Sequence, residues 1–96
     1  MKLVSVKRSS REGKKWVAVF NDPKTGRSKT THFGASGMND FTLTGDLEAK
    51  KRYWDRHRKD LSTGDHTRAG FLSLYLLWNK PTLSASIADF KRRFNA

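Results

Sequence analysis

The sequence contains no cysteine and few acidic residues. The absence of Cys excludes a disulfide framework, a thiolate metal site and a cysteine nucleophile, and it fits a reducing compartment. Nine Asp and Glu stand against 20 Lys and Arg, which gives a formal charge of +11. A charge of this size attracts polyanions and speeds encounter with them, but it does not identify the anion.

Long apolar segments are also missing. Apolar runs such as Leu74–Trp78 are far shorter than the ~20 residues of a membrane helix. Met1-Lys2 is followed only by Leu3–Val6 before charge returns, so no secretory signal is recognised. We therefore expect an intracellular protein that is not secreted and has no membrane span. A length of 96 residues with 11% aromatic side chains predicts one ordered domain, residues 1–96, with a modest core.

The positive charge is concentrated at the two ends of the chain. Residues 1–37 hold nine basic and two acidic side chains, and residues 67–96 hold five basic and one acidic. Residues 38–66 hold six of each and are balanced. We expect folding to bring the basic side chains of the two ends together into one electropositive surface.

Residues 1–37 have the composition of a basic β-meander. Leu3–Val6, Lys15–Phe20 and Arg27–Phe33 are rich in β-branched and aromatic residues, and the Pro- and Gly-containing segment 21–26 is a turn signal. Gly34–Gly37 would end the sheet. A four-residue loop at Pro23–Gly26 implies a register that pairs three positions across the hairpin: Phe20 with Lys29, Ala18 with Thr31, and Trp16 with Phe33.

The rest of the chain favours helices after a connector, residues 38–45, which Phe41 could anchor to the core. In the helical part, residues 46–96, Asp46 can cap a first helix that reaches about Lys59. The helical spacing of that segment places Leu47, Trp54, His57 and Leu61 on one side, and this favours a Trp54 that packs inward.

Two further helices are predicted after the break at residues 62–65. Asp65 or Thr67 can cap a helix over Ala69–Trp78, which is apolar nearly all round and should be buried. Pro81 lies near the start of the last helix, which carries an apolar stripe at Leu83, Ile87, Phe90 and Phe94. The predicted fold is α+β, an N-terminal three-stranded antiparallel meander followed by three α-helices.

Basic groups in three segments are candidates for nucleic-acid binding. A two- or three-stranded ribbon fits a DNA major groove, and basic side chains beside it would hold phosphates. The alternative for the hairpin is a solvated sheet edge protected by Lys. The run Lys50–Lys59 mixes cations with aromatics, as single-strand platforms do, and Lys91–Arg93 could instead serve only the helix dipole. The candidate phosphate contacts are Lys14, Lys15, Lys24, Arg27, Lys29, Arg56, Arg58, Arg92 and Arg93.

Signals for catalysis are poor. The three His residues never stand at metal-ligand spacing, and Gly34–Gly37 lacks the Lys of a phosphate-binding loop. Asp40, Asp46 and Glu48 could meet in space, so a metal-dependent nuclease is a distant alternative. We expect no enzyme activity, no catalytic residue, no metal, no cofactor and no small-molecule ligand.

Several segments resemble a family of short, basic, uncharacterised proteins encoded by nucleocytoplasmic large DNA viruses, the algal and amoebal giant viruses among them. The similarity runs from about Trp16 to the end, and its most specific part is the segment Trp78–Leu83. The resemblance implies a viral context: a component of the particle or a protein of the infected cell. The segments that carry it are Phe20–Arg27, His32–Thr42, Arg52–Lys59 and Leu77–Phe94.

These features together predict a non-enzymatic structural protein of a large DNA virus. It would bind a polyanion, most readily viral DNA, through phosphate contacts and without strong sequence preference. The second hypothesis is a minor capsid protein that cements the shell through protein–protein contacts. In that case exposed aromatics and an uncovered β-edge would bind shell proteins.

Overall fold

A computed structural model describes all 96 residues and confirms the α+β class with its N-terminal meander. The three antiparallel strands lie in the order β1-β2-β3. Their bounds are Lys2–Arg8 for β1, Lys14–Asn21 for β2 and Ser28–Ala35 for β3. The turn between β2 and β3 closes through two backbone bonds, from Asp22 N to Arg27 O and from Gly26 N to Asp22 O, both 2.8 Å.

The hairpin register expected from the loop length is confirmed. Phe20 pairs with Lys29, Ala18 with Thr31, and Trp16 with Phe33. On the other side of β2, the register of β1 shifts between Leu3 and Ser5, which leaves Val4 as the extra, exposed residue of a bulge. The bulge is the one feature of the sheet that the alternation of residue types does not indicate.

Four α-helical segments follow the sheet, one more than predicted. The additional segment, α1, lies in the connector, where Phe41 is buried as expected. A 3₁₀ segment, Arg58–Thr63, extends α2, and a π-helical turn, Ser73–Leu77, extends α3. The helix bounds are Phe41–Thr44 for α1, Leu47–His57 for α2, Ala69–Leu72 for α3 and Leu83–Phe94 for α4.

The first predicted helix is correct in its cap and wrong at one apolar position. The Asp46 carboxylate accepts hydrogen bonds from the N–H groups of Glu48 and Ala49, at 3.0 and 3.1 Å. However, Leu47 is 70% exposed and does not share the inward side of Trp54. Leu47 is the first residue of α2, directly after the Asp46 cap.

The second predicted helix has a different cap and a different interior. Its N-cap is Arg68, with no side-chain cap bond, whereas Asp65 accepts hydrogen bonds from the N–H and hydroxyl of Thr67 in the preceding turn. After Leu72 the backbone widens into the π-helical turn, in which Trp78 N bonds to Ser73 O. The Phe and Leu residues of this segment are nevertheless buried, as predicted, whereas Tyr75 and Trp78 are half-buried.

The core lies between one face of the sheet and the helices α3 and α4. Burial of apolar surface at this junction is the main stabilising contribution. The sheet contributes the inward-facing apolar side chains of its three strands. The two residues after α4 also approach the first strand, where Leu3 N donates to Ala96 O (3.2 Å) and Lys2 Nζ to Asn95 O (2.6 Å). The core residues are Leu3, Ala18, Phe20, Phe33, Leu72, Leu76, Leu77 and Phe90.

Candidate nucleic-acid interface

The strand register divides the sheet into an inner face on the core and an outer face with no covering layer. Residues that pair across neighbouring strands lie on the same face. None of the outer-face residues is buried. The outer face consists of three rows: Lys2–Asn21–Ser28, Ser5–Val19–Thr30 and Lys7–Val17–His32.

Three of the nine predicted phosphate contacts line a single cleft. Lys14, Lys15 and Arg56 come from β2 and α2, and the cleft between them has a volume of about 720 Å³. Lys15 is already engaged, because its Nζ lies 2.6 Å from Oδ2 of Asp40, a carboxylate that is 2% exposed. Lys14 and Arg56 are exposed and have no acidic partner, so these two are available to an anion.

The aromatic residues of α2 hold the helix in place. The Tyr53 ring stacks on Trp78 at 4.5 Å and on His57 at 4.1 Å. The indole N–H of Trp54 donates to Trp78 O at 2.6 Å, which agrees with an inward-packing Trp54. Burial raises the pKa of the Tyr53 hydroxyl. Both faces of Tyr53 are therefore occupied, and the ring cannot stack on a nucleobase.

The β2–β3 turn supplies a second pair of free cations. Lys24 and Arg27 are exposed and have no acidic partner. Lys29 differs, because its ammonium group donates to Thr67 Oγ1 at 2.8 Å and lies 3.9 Å from Asp65. Hydrogen bonds from the Thr67 hydroxyl and N–H lower the pKa of Asp65. Lys29 thus links the sheet to the segment before α3.

The remaining predicted contacts each lie beside a carboxylate. Arg58 is 3.4 Å from Asp55 in an exposed pair, which is weak and easily exchanged. Arg92 and Arg93 share the carboxylate of Asp89, at 2.7 and 3.3 Å. Asp89 is 3% exposed, and hydrogen bonds from Asn79 and Arg93 lower its pKa. The basic end of α4 is therefore partly neutralised.

The nine residues do not form a single patch. Lys14 begins β2, and Lys24 lies just beyond its end, so about 24 Å of strand separates the two free pairs. The chain ends do meet, through the Lys2 contact with Asn95. The nine predicted contacts do not include the unpaired cations of β1 and of the loop after it, although these cations lie close together in the sequence. These are Lys7, Arg8, whose guanidinium lies 5.2 Å from the Trp16 ring, and Arg11.

The carboxylates considered for a nuclease have structural partners. Asp40 pairs with Lys15 and accepts from Thr42 N, Asp46 caps α2, and Glu48 lies 3.9 Å from Arg52. No group of three His, Asp or Glu side chains is placed to share a metal ion. His66 packs against the Phe94 ring, at 5.6 Å. No helix has the length and apolar character required to cross a bilayer.

Comparison with known proteins gives one match. A protein-family model described as a family of unknown function (DUF5754) matches residues 4–57, more than half of the chain. The chain belongs to this family. The part matched to DUF5754 contains nearly all of the sheet together with α1 and α2, and it ends before the segment Trp78–Leu83. No curated protein and no solved structure matches the chain.

Proposed function

We propose that the protein is a non-enzymatic structural protein of a large DNA virus that binds DNA through its phosphates. The observation that supports this most directly is the placement of exposed cations without acidic partners at both ends of an uncovered sheet. Four of the predicted contacts have this property: Lys14, Lys24, Arg27 and Arg56.

An unpaired surface cation is the group that phosphate binding requires. A cation beside a carboxylate presents a phosphate with attraction and repulsion together, whereas an unpaired cation presents attraction alone. The excess of 20 basic over nine acidic residues adds a long-range field that favours encounter with DNA. Contacts of this kind position a protein on the duplex without reading its bases, so strong sequence preference is not expected.

The viral context depends on the resemblance of residues 16–96 to proteins of large DNA viruses. A large packaged genome requires neutralisation, and small basic proteins suit that task. We therefore place the protein in the virion or inside the infected cell. Its partners would be DNA first and capsid proteins second.

Salt dependence of binding tests the proposed function. The affinity of the protein for a random-sequence duplex should fall steeply as salt rises, with a log–log slope of about 0.9 for each phosphate contact. Four contacts would give a slope of about 3.6. Fluorescence anisotropy at increasing salt concentration measures it. An affinity that does not change with salt would contradict phosphate binding.

One observation favours the second candidate, a minor capsid protein. Met38, Leu43 and Leu47 are 63, 66 and 70% exposed, and they lie within ten residues of one another around α1. Exposed apolar residues of this kind are common in contacts between proteins. A capsid role predicts that the protein stays with purified shells that lack the genome. Its recovery only with the nucleoid would contradict that role.

A further inference from the structure

The outer face of the sheet has dimensions that match a groove of DNA. Neighbouring strands lie about 4.8 Å apart, so β1 and β3 are separated by about 10 Å. The major groove of B-DNA is about 12 Å wide, whereas the minor groove is about 6 Å wide. The sheet is therefore too wide for the minor groove, and of the two grooves only the major groove is close to its width.

The side chains of the outer face suit the floor of that groove. The three rows contain no acidic residue, and most positions are short. Ser5 and Thr30 offer hydroxyl groups to base edges, and the methyl groups of Val17 and Val19 can contact thymine methyl groups. Short side chains allow the sheet to approach closely, but they discriminate weakly between base pairs. This agrees with binding that has little sequence preference.

The two edges of the sheet carry the cations that such an approach needs. Lys2 and Lys7 lie on β1 in the outer-face rows, and Lys24 and Arg27 lie in the turn that leads into β3. With the strands running along the groove, each edge faces one sugar-phosphate backbone. The nearest acidic residues in sequence, Glu12 and Asp22, lie in loops beyond the ends of the strands.

We propose that the outer face of the sheet lies in the major groove of duplex DNA. This inference rests on the proposed DNA-binding function and adds the surface and the groove. The helices α3 and α4 would then face away from the duplex, because they pack against the opposite face of the sheet.

Blocking one groove at a time tests the proposal. A duplex whose cytosines carry glucosylated 5-hydroxymethyl groups fills the major groove, and netropsin fills the minor groove. We expect the glucosylated duplex to bind about tenfold more weakly or worse, since buried contacts are lost, and netropsin to leave the affinity unchanged. Equal affinity for glucosylated and plain duplex, or competition by netropsin, would overturn the proposal. In either case salt-dependent binding to plain duplex would persist, so the proposed function would stand.

A pair of charge variants gives a matched control. Thr30→Glu adds one negative charge in the middle row of the outer face, on β3, and Ser84→Glu adds the same charge on an exposed position of α4. We expect Thr30→Glu to weaken duplex binding by about tenfold and Ser84→Glu to weaken it less than about twofold. Equal losses would overturn the proposal. Thermal unfolding of both variants checks that each is folded.

Discussion

Gly34 shows how a missing side chain fixes the distance between the sheet and the helices. Its φ is +79°, and a Cβ built on it would lie 2.9 Å from Leu77 Cδ1 and 3.3 Å from Lys15 Cβ. Glycine is favoured here both because the backbone is left-handed and because the π-helical turn packs directly on the strand. The close approach also shapes the cleft that Lys14 and Arg56 line.

Replacement of Gly34 by Ala should destabilise the protein by two effects. The left-handed backbone costs about 1–2 kcal/mol for a residue with a Cβ, and the clash with Leu77 adds about 1–3 kcal/mol. Gly26→Ala is the matched control, because its φ is +74° and no atom lies within 4 Å of the built Cβ. Urea unfolding measures both variants, and equal losses would contradict the packing argument.

The lowered pKa of Asp89 predicts that the protein loses stability in acid. This pKa is lowered from 3.8 by the Asn79 and Arg93 hydrogen bonds. The ionised carboxylate therefore makes its full contribution to the free energy of unfolding above the pKa of the unfolded chain. That contribution is lost as the pH falls below about 3.8 through the lower folded pKa. The Asp89→Asn variant should therefore lose less stability than the natural chain over this range. Urea unfolding at several pH values measures the difference, and identical pH profiles would contradict it.

At the scale of the element, α4 is the helix whose ends the sequence specifies best. Thr82 accepts a hydrogen bond from Ala85 N at 3.1 Å, and Asn95 ends the helix at a φ of 51°. The apolar stripe at residues 83, 87, 90 and 94 faces the core, with Phe90 fully buried. The position of Pro81, the apolar period and the basic last turn agree here, which is why α4 could be predicted.

Removal of the α4 cap tests this interpretation. Thr82→Ala should lower the free energy of unfolding by about 1 kcal/mol, because one N–H of the first turn loses its acceptor. Ser84→Ala, at an exposed position inside the same helix, should change it by less than about 0.5 kcal/mol. A Thr82→Ala protein as stable as the natural chain would contradict the capping role.

The segment before α4 could not be predicted to the same degree. A run of apolar residues over 71–78 indicates burial, but it does not distinguish a regular α-helix from one that widens after Leu72. Trp78, which follows the π-helical turn, contacts both Tyr53 and Trp54, and contacts between residues so far apart in the sequence do not follow from the local pattern. The strand register was predictable because the loop length alone fixes it.

For the whole molecule, the sequence predicts the excess of positive charge but not which cations are free. Arg92 and Arg93 stand three and four residues after Asp89, so their pairing is a local helical one. The Lys15–Asp40 pair joins residues 25 positions apart, and only the folded chain brings them together. The candidate site was therefore predictable as a set of basic residues and not as a surface.

The central claim is that unpaired cations, rather than net charge alone, bind the phosphates of DNA. Two triple variants separate these possibilities, because each lowers the formal charge of +11 by three. One replaces the unpaired Lys24, Arg27 and Arg56 by Gln. The other replaces by Gln three exposed cations that lie beside carboxylates: Arg52, Arg58 and Arg68.

The decisive measurement is the salt dependence of duplex binding by these two variants. We expect the variant without Lys24, Arg27 and Arg56 to lose about 2.7 from the log–log slope, about 0.9 for each lost contact. The variant without Arg52, Arg58 and Arg68 should lose clearly less. Equal losses in the two proteins would contradict the account.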